Sequence, residues 1–464
     1  MRFLYPTSLA TVSPSPGLLI GLFGAGCLLA TLAGVFPLYV IGGGAVLLLL
    51  RWLFLSPLSG IIFVLAISAL FIRSTENITP YEIAYAVLFT VATLGWFAAR
   101  LRHGLPVTET KADRLLVWFL VLCVVSIVPT VILGNDLFKW LREIVPLLLF
   151  LPYFLVVTLL NRKIDVYRIC LAYAVVCLSI GSVNIYEYVH NVTNAKFLWE
   201  ILAGRRAPGE PLFYTTLITL ILLLVYGGLR GWRRFAGLGL MMFCAVALAI
   251  TFSRGYWLAS AVALFVAFTL MAPAIRWRLF RYGVILGLVS VTIVLLFMDQ
   301  LLFDILAAMS DRLATLFATS LDLSVRNRLV ESAAAFDKIL GSPIWGYGLG
   351  AFYHYRALIP SEMPTWYVHN VYLYLWMKIG LIGLIVFLVW YLTVITHGYR
   401  VYRRLEDPLL KPLLLSVVSL LISMIPLAVT SPQFIQKDAI LFVAFGAGLI
   451  ERLYRSDQPS GTLT

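Results

Sequence analysis

Charge is the scarcest property of this 464-residue chain. Only 12% of its residues are Asp, Glu, Lys or Arg, and 61% are hydrophobic, whereas soluble domains carry roughly 25% charged residues. That excludes an ordinary soluble domain. Cysteine is also sparse: Cys27, Cys123, Cys170, Cys177 and Cys244 all fall inside apolar runs. Their spacing fits neither a metal site nor a disulfide framework, so they read as small core residues. The sequence has no GxxxxGK[ST] phosphate loop, no Gly-x-Ser-x-Gly elbow, no His-Glu-x-x-His and no DxD-type acidic motif. Neither a metal nor a cofactor is therefore expected. Internal repeats are undetectable, which argues against a transporter assembled from them.

What is present is a series of long apolar runs. Fourteen stretches are candidate membrane spans: 17–36, 38–55, 57–72, 80–99, 114–133, 137–160, 166–188, 211–229, 235–251, 255–273, 281–298, 370–396, 409–430 and 437–452. Each approaches the roughly 20 residues that cross a bilayer as a helix. The second and third are short and close together, so they can form one re-entrant unit and the count ranges from twelve to fourteen. The expected fold is an all-α polytopic helical membrane protein with one long, partly helical loop on the outer side. Residues 1–199 form an N-terminal bundle of about seven spans, 200–452 a catalytic region containing loop 299–369, and 453–464 a cytoplasmic tail.

The net charge of +13 points to a membrane topology and not to nucleic acid. With both termini cytoplasmic, every inner connection holds at least one basic residue, together 21 of the 35 Lys and Arg, as the positive-inside rule requires. The remaining fourteen then need an outer role. Most sit before the eighth span, in the tight turn at Arg254, and in loop 299–369. Short outer segments rich in Arg indicate an anionic ligand.

Loop 299–369 has structure of its own. Asp304–Thr319 reads as an amphipathic helix, and Asp322 caps a second helix through Leu340, with Leu329, Ala333, Phe336 and Leu340 as its apolar face. Gly341 and Pro343 stop it, and the Gly-rich turn Trp345-Gly346-Tyr347-Gly348-Leu349-Gly350 follows.

Four constellations can carry chemistry. Gly204-Arg205-Arg206-Ala207-Pro208-Gly209 presents paired guanidinium forks, suited to phosphate oxygens or to lipid head groups. Thr251-Phe252-Ser253-Arg254-Gly255 confines an arginine to a turn between two spans, where it needs a partner; Ser253 is a candidate cap. In Ser324-Val325-Arg326-Asn327-Arg328 the two arginines point about 200° apart on a helix, so one can face a site while the other meets solvent. Last, Trp366-Tyr367-Val368-His369-Asn370 puts an imidazole, the side chain suited to proton transfer near neutral pH, where the polar loop meets an apolar span. The alternative for His369 is a place in an aromatic belt. Gly380 and Gly383 on that span permit close helix packing, and Lys378 between them and His369 is a buried cation with Glu143 or Glu187 as possible partners.

His369-Asn370, nine residues, then Gly380-x-x-Gly383 resembles the pattern of the bacterial O-antigen ligase and O-antigen polymerase superfamily. Arg326 followed by Pro343-x-x-Gly346-x-Gly348, Thr251-x-Ser253-Arg254-Gly255 and Arg206-x-x-Gly209 are similar to further segments of that family, and the likeness covers about residues 200–450. The resemblance implies a metal-independent, inverting glycosyltransferase that takes a glycan from undecaprenyl diphosphate on the periplasmic face of the inner membrane. The acceptor is a sugar hydroxyl of the lipid A core in the ligase, or a lipid-linked repeat unit in the polymerase. It also implies that His369 is the general base. Arg206 (or Arg205 of the same doublet) and Arg254 would bind the diphosphate, with Arg326 or Arg328, while Asn370, Gly380 and Gly383 position the histidine. Oligomeric state is left open.

Overall fold

The computed structural model describes residues 37–69, 79–192, 209–297, 323–356 and 362–457, together with Ala307 and Ser310. The expected span 17–36, the amphipathic helix 304–319, the cap residue Asp322 and the doublet Arg205-Arg206 lie outside the described residues. The rest is helical apart from one small hairpin. In chain order the elements are α1 (Pro37–Leu55), α2 (Pro57–Ala66), α3 (Pro80–Arg102), α4 (Lys111–Val125), α5 (Ile127–Ile132), α6 (Leu137–Leu148), α7 (Pro152–Leu159), α8 (Lys163–Val192), α9 (Glu210–Tyr226), α10 (Trp232–Ala249), α11 (Arg254–Leu270) and α12 (Pro273–Phe297). After them come α13 (Leu323–Leu340), β1 (Tyr353–Arg356), β2 (Glu362–Thr365), α14 (Val371–Arg404), α15 (Leu410–Leu427) and α16 (Lys437–Asp457).

Every expected span from 38–55 onward overlaps helix among the described residues, although the helix in 57–72 covers only Pro57–Ala66. Among the described residues, seven helical stretches are long and apolar enough to cross a membrane, with α4–α5 and α6–α7 each counted as one. The chain is thus an all-α polytopic membrane protein. The 42–55 part of α1 meets α2 at a bend of 119°, a broken or re-entrant unit; Pro57 at the start of α2 suits that corner, since proline is tolerated in a helix's first turn. α9 and α11 are apolar but only 17 residues long.

α14 is the axis of the bundle. It packs on α4, α13, α15 and α16, and an aromatic cluster fixes its middle: Phe387 lies 5.0 Å from Phe119 and 4.9 Å from Phe434, and Trp390 5.4 Å from Phe150, between ring centroids. Such edge and tilted aromatic pairs add about 0.5–1.5 kcal/mol each beyond the area they cover. The N-terminal stretch and the remainder of the chain interleave, with α7 against α16 and α4 against α14. Gly448 of α16 has the backbone of Tyr153 on α7 within 3.0 Å of where a Cβ would stand, the close approach that small residues allow between membrane helices.

Charged groups are sorted to the two ends. At the C-terminal end of α14, Arg455 pairs with Glu109 (2.8 Å) and Asp113, Arg404 with Asp457 (3.0 Å), and Lys163 with Asp407. All three cations belong to the set that the charge pattern assigns to the inner side. His369 stands at the other end.

Candidate active site

Asn370 begins α14 as its N-cap. Its side-chain oxygen accepts from the amides of Tyr372 (3.0 Å) and Leu373 (3.3 Å), filling two of the first-turn donors that a helix cannot satisfy itself. The backbone is tied a second time, by the Val371 amide to the Ala428 carbonyl of the neighbouring α15 at 3.0 Å. His369, one residue before the cap, is therefore held at a fixed point.

Its ring is held as well. Nδ1 lies 2.7 Å from Oε2 of Glu331 on α13, and the histidine side chain is 36% exposed while the glutamate is 3% exposed. With the carboxylate as acceptor, the bond puts the imidazole proton on Nδ1 and leaves Nε2 as a proton acceptor. Tyr353 of β1 closes the back: its hydroxyl reaches Glu331 Oε1 (3.3 Å) and the Tyr367 carbonyl (3.0 Å). Tyr367 stacks edge-on against His369 with centroids 4.9 Å apart. Burial, then the nearby Glu331 carboxylate, holds both the Tyr353 and Tyr367 hydroxyls well above the usual phenol range. Both stay protonated.

Sequence reading did not single out Glu331, because the apolar face of α13 was assigned to Leu329, Ala333, Phe336 and Leu340. In the structure that face is exposed, Leu329 at 66% and Leu340 at 62%. The buried stripe is Glu331, Ala335 and Ile339. The two stripes lie on opposite sides of the helix, and the carboxylate interrupts the second, which is why hydrophobic periodicity favoured the first. A glutamate at the head of an Ala/Ile stripe was the signal available.

The same helix separates the two arginines. Arg328 is half-buried, three residues from Glu331, and its charge reaches the Tyr367 hydroxyl. Arg326 is exposed. Arg254 is half-buried at the start of α11. Ser253 occupies the N-cap position there without a side-chain capping bond, and the preceding Phe252 takes φ +51°, a left-handed conformation that non-glycine residues seldom adopt. Two residues on, Tyr256 exchanges hydrogen bonds with Gln436 (2.8 Å) and Gln433 (2.6 Å). Glu210 is within electrostatic reach of both the Tyr256 and the Tyr367 hydroxyl, which brings the α11 turn and the His369 loop to one region.

Gly380 and Gly383 act differently from a helix-packing pair. Gly380 has φ +72° and breaks α14, and a Cβ there would collide with the Ile344 carbonyl oxygen of the Gly-rich turn. The break frees two carbonyls and one amide of α14, and the turn pairs with all three. Tyr347 N donates to Met377 O (2.8 Å), Gly348 N to Lys378 O (2.9 Å), and Leu381 N to Pro343 O (3.0 Å). The close approach is helix to loop, whereas the nearest atoms to a Cβ on Gly383 belong to the side chain of Ile379 in its own helix. The other edge of the turn is fastened to the N-terminal bundle: Thr130 Oγ1 donates to Leu349 O (2.6 Å) and Asn135 Nδ2 to Tyr347 O (2.8 Å).

Lys378, fully buried beside the break, finds Glu143 of α6. Its ammonium donates to both carboxylate oxygens (2.7 and 2.8 Å) and to the Ala351 carbonyl (2.6 Å). Glu143 Oε2 also accepts the Gly350 amide at 2.7 Å. One ion pair thus joins α6, the Gly-rich turn and α14, two residues upstream of Tyr353.

Residues 238–388 match the sequence profile of the family described as O-antigen ligase. The match supports a relation to the O-antigen ligase/polymerase superfamily. The matched segment contains Arg254, Arg326, Arg328, Glu331, His369, Asn370, Gly380 and Gly383. Comparison with curated proteins finds no match.

Proposed function

We propose that this protein transfers a glycan from undecaprenyl diphosphate to a sugar hydroxyl of the lipid A core, on the periplasmic face of the inner membrane and with both termini cytoplasmic. The observation that carries the reading is the 2.7 Å bond between His369 Nδ1 and the buried Glu331. It supplies a histidine with fixed tautomer and a free Nε2 at the mouth of a membrane bundle, which is what general-base activation of a hydroxyl needs. In the proposed step Nε2 takes the acceptor hydroxyl proton while that oxygen attacks the anomeric carbon. The bond to the diphosphate oxygen breaks, the carbon inverts, and the diphosphate leaves on its lipid. Negative charge grows on the departing oxygens, and preorganised guanidiniums stabilise it. We assign this role to Arg254 and Arg328, joined by Arg206 or its neighbour Arg205; the exposed Arg326 contributes less.

The matched family supports a function of the O-antigen ligase or polymerase type, and of the two we take the ligase. A deletion strain tests it. Loss of a ligase leaves long lipid-linked polymer with none on the lipid A core. Single repeats attached to the core would instead identify a polymerase that uses a lipid-linked repeat as acceptor. Complementation with His369→Ala should fail although the protein inserts and folds. Transfer at the parent rate by that variant would overturn the histidine's role.

A further inference from the structure

The last turns of α14, at the end opposite His369, border a hollow of about 380 Å3. It is lined by Tyr399, Arg400, Arg403 and Arg404, none of which belongs to the His369 site. All three arginines are exposed. The guanidinium of Arg403 lies 6.0 Å from the centroid of the Tyr399 ring, and Arg404 pairs with Asp457 of α16 at 3.0 Å. Arg400 and Arg403 meet no carboxylate among the described residues. Other arginines of the inner set find acceptors within the chain: Arg100 in Glu109, Arg276 in the Met271 carbonyl, and Arg455 in Glu109 and Asp113.

Three guanidiniums against the one carboxylate of Asp457 leave a surplus of two positive charges. Glu406, two residues past the end of α14, does not line the hollow, and Asp407 is taken by Lys163. The acidic residues outside the described set are Glu76, Glu200, Asp299, Asp304, Asp311 and Asp322. All six fall in segments that the charge pattern assigns to the outer side. The surplus is therefore left for a ligand.

The side of α14 that carries these arginines points to the ligand's class. Ile385, Val389, Leu392, Thr396, Tyr399 and Arg403 follow one another at intervals of three or four residues, so they share one face of the helix. All six are exposed. On a helix long and apolar enough to span a membrane, such a face meets lipid. Along it the residues pass from aliphatic, through Thr396 and an interfacial tyrosine, to arginine, which is the order of hydrocarbon, interface and head group. An anion held by Arg400 and Arg403 is thus a head group of the bilayer. Basic pockets at the inner ends of membrane helices suit multiply charged lipids, and a surplus of two matches a head group with two phosphodiesters. We propose that the hollow binds such a phospholipid, of the cardiolipin class, in the leaflet opposite His369. Its phosphates sit on Arg400 and Arg403, and an acyl chain lies along Ile385, Val389 and Leu392.

Native mass spectrometry of the full-length protein in detergent, with cardiolipin, phosphatidylglycerol and phosphatidylcholine added at equal concentration, tests this. Cardiolipin should be retained about tenfold more than phosphatidylcholine, with phosphatidylglycerol between them, as two unpaired arginines at head-group level predict. The double variant Arg400→Gln/Arg403→Gln should bring the three lipids to nearly equal retention. A control, Arg230→Gln/Arg281→Gln, removes two exposed arginines of the same inner set and should leave the cardiolipin preference within about twofold of the parent. All four side chains are on the surface, so both variants should melt as the parent does. Equal retention of the three lipids by the parent protein overturns the proposal, as does a preference that survives in a monodisperse Arg400→Gln/Arg403→Gln variant. An equal fall in the control would overturn it too, because the preference would then belong to the whole inner surface. Inorganic pyrophosphate at the same concentration should leave cardiolipin bound; displacement would give the hollow to a soluble diphosphate instead.

Discussion

The imidazole of His369 and the carboxylate of Glu331 stand 2.7 Å apart, yet their surroundings differ sharply: the glutamate side chain is 3% exposed and the histidine 36%. In the proposed transfer, a buried carboxylate behind a half-open imidazole would act through the ring that it holds. Glu331→Gln preserves size but can present its amide to Nδ1, which then favours the proton on Nε2. By analogy with other histidine–carboxylate pairs, transfer should fall roughly 10²–10⁴-fold, with donor binding nearly unchanged. Single-turnover rates with a lipid-linked donor, beside a binding isotherm for the same donor, provide the check. A fall in binding that matches the fall in rate would make Glu331 a structural residue only.

How far the sequence could carry the reader differs from one part of this site to another. The bundle was legible because each span is a long apolar run, and α13 was legible as a helix from its stop at Gly341 and Pro343. Its buried face was not. Leu329, Ala333, Phe336 and Leu340 form the more apolar stripe and still face outward, since beside a bilayer exposure costs an apolar side chain little. Gly380 was conspicuous by its spacing from His369, but its role depends on a left-handed φ and on a loop more than thirty residues upstream. Periodicity carries neither kind of information. Lys378 stood out as a cation inside an apolar span, and two glutamates competed for it until the fold chose Glu143.

The two arginines of α13 should separate in function. Arg328 is half-buried and its charge reaches the Tyr367 hydroxyl beside His369, whereas Arg326 is exposed. Loss of one charge-assisted hydrogen bond, about 1.5–3 kcal/mol, corresponds to roughly a 10–100-fold fall in kcat/KM for Arg328→Ala. Arg326→Ala should stay within about twofold of the parent, as surface charges usually do. Kinetic constants of both variants with one donor preparation decide this. The reverse order would place the diphosphate on the other side of α13.

The Lys378–Glu143 pair gives the sharpest test of how the two parts of the chain are joined. Lys378 is fully buried, and its ammonium holds both oxygens of Glu143 and the Ala351 carbonyl. Removing one member of such a pair strands the other charge and typically costs roughly 3–5 kcal/mol, while replacing both can be nearly neutral. Lys378→Met alone should therefore lower the melting temperature strongly, and so should Glu143→Gln alone. The double variant should recover most of the loss, because a glutamine at 143 still accepts the Gly350 amide that Glu143 holds at 2.7 Å. Transfer activity should recover with it, since the turn anchored there leads within three residues to Tyr353, the hydroxyl behind Glu331. If the double variant is no more stable than the worse single one, the charge pair is not the tie between α6 and α14. If stability returns without activity, the ammonium itself, and not only the fastened turn, is needed at the site.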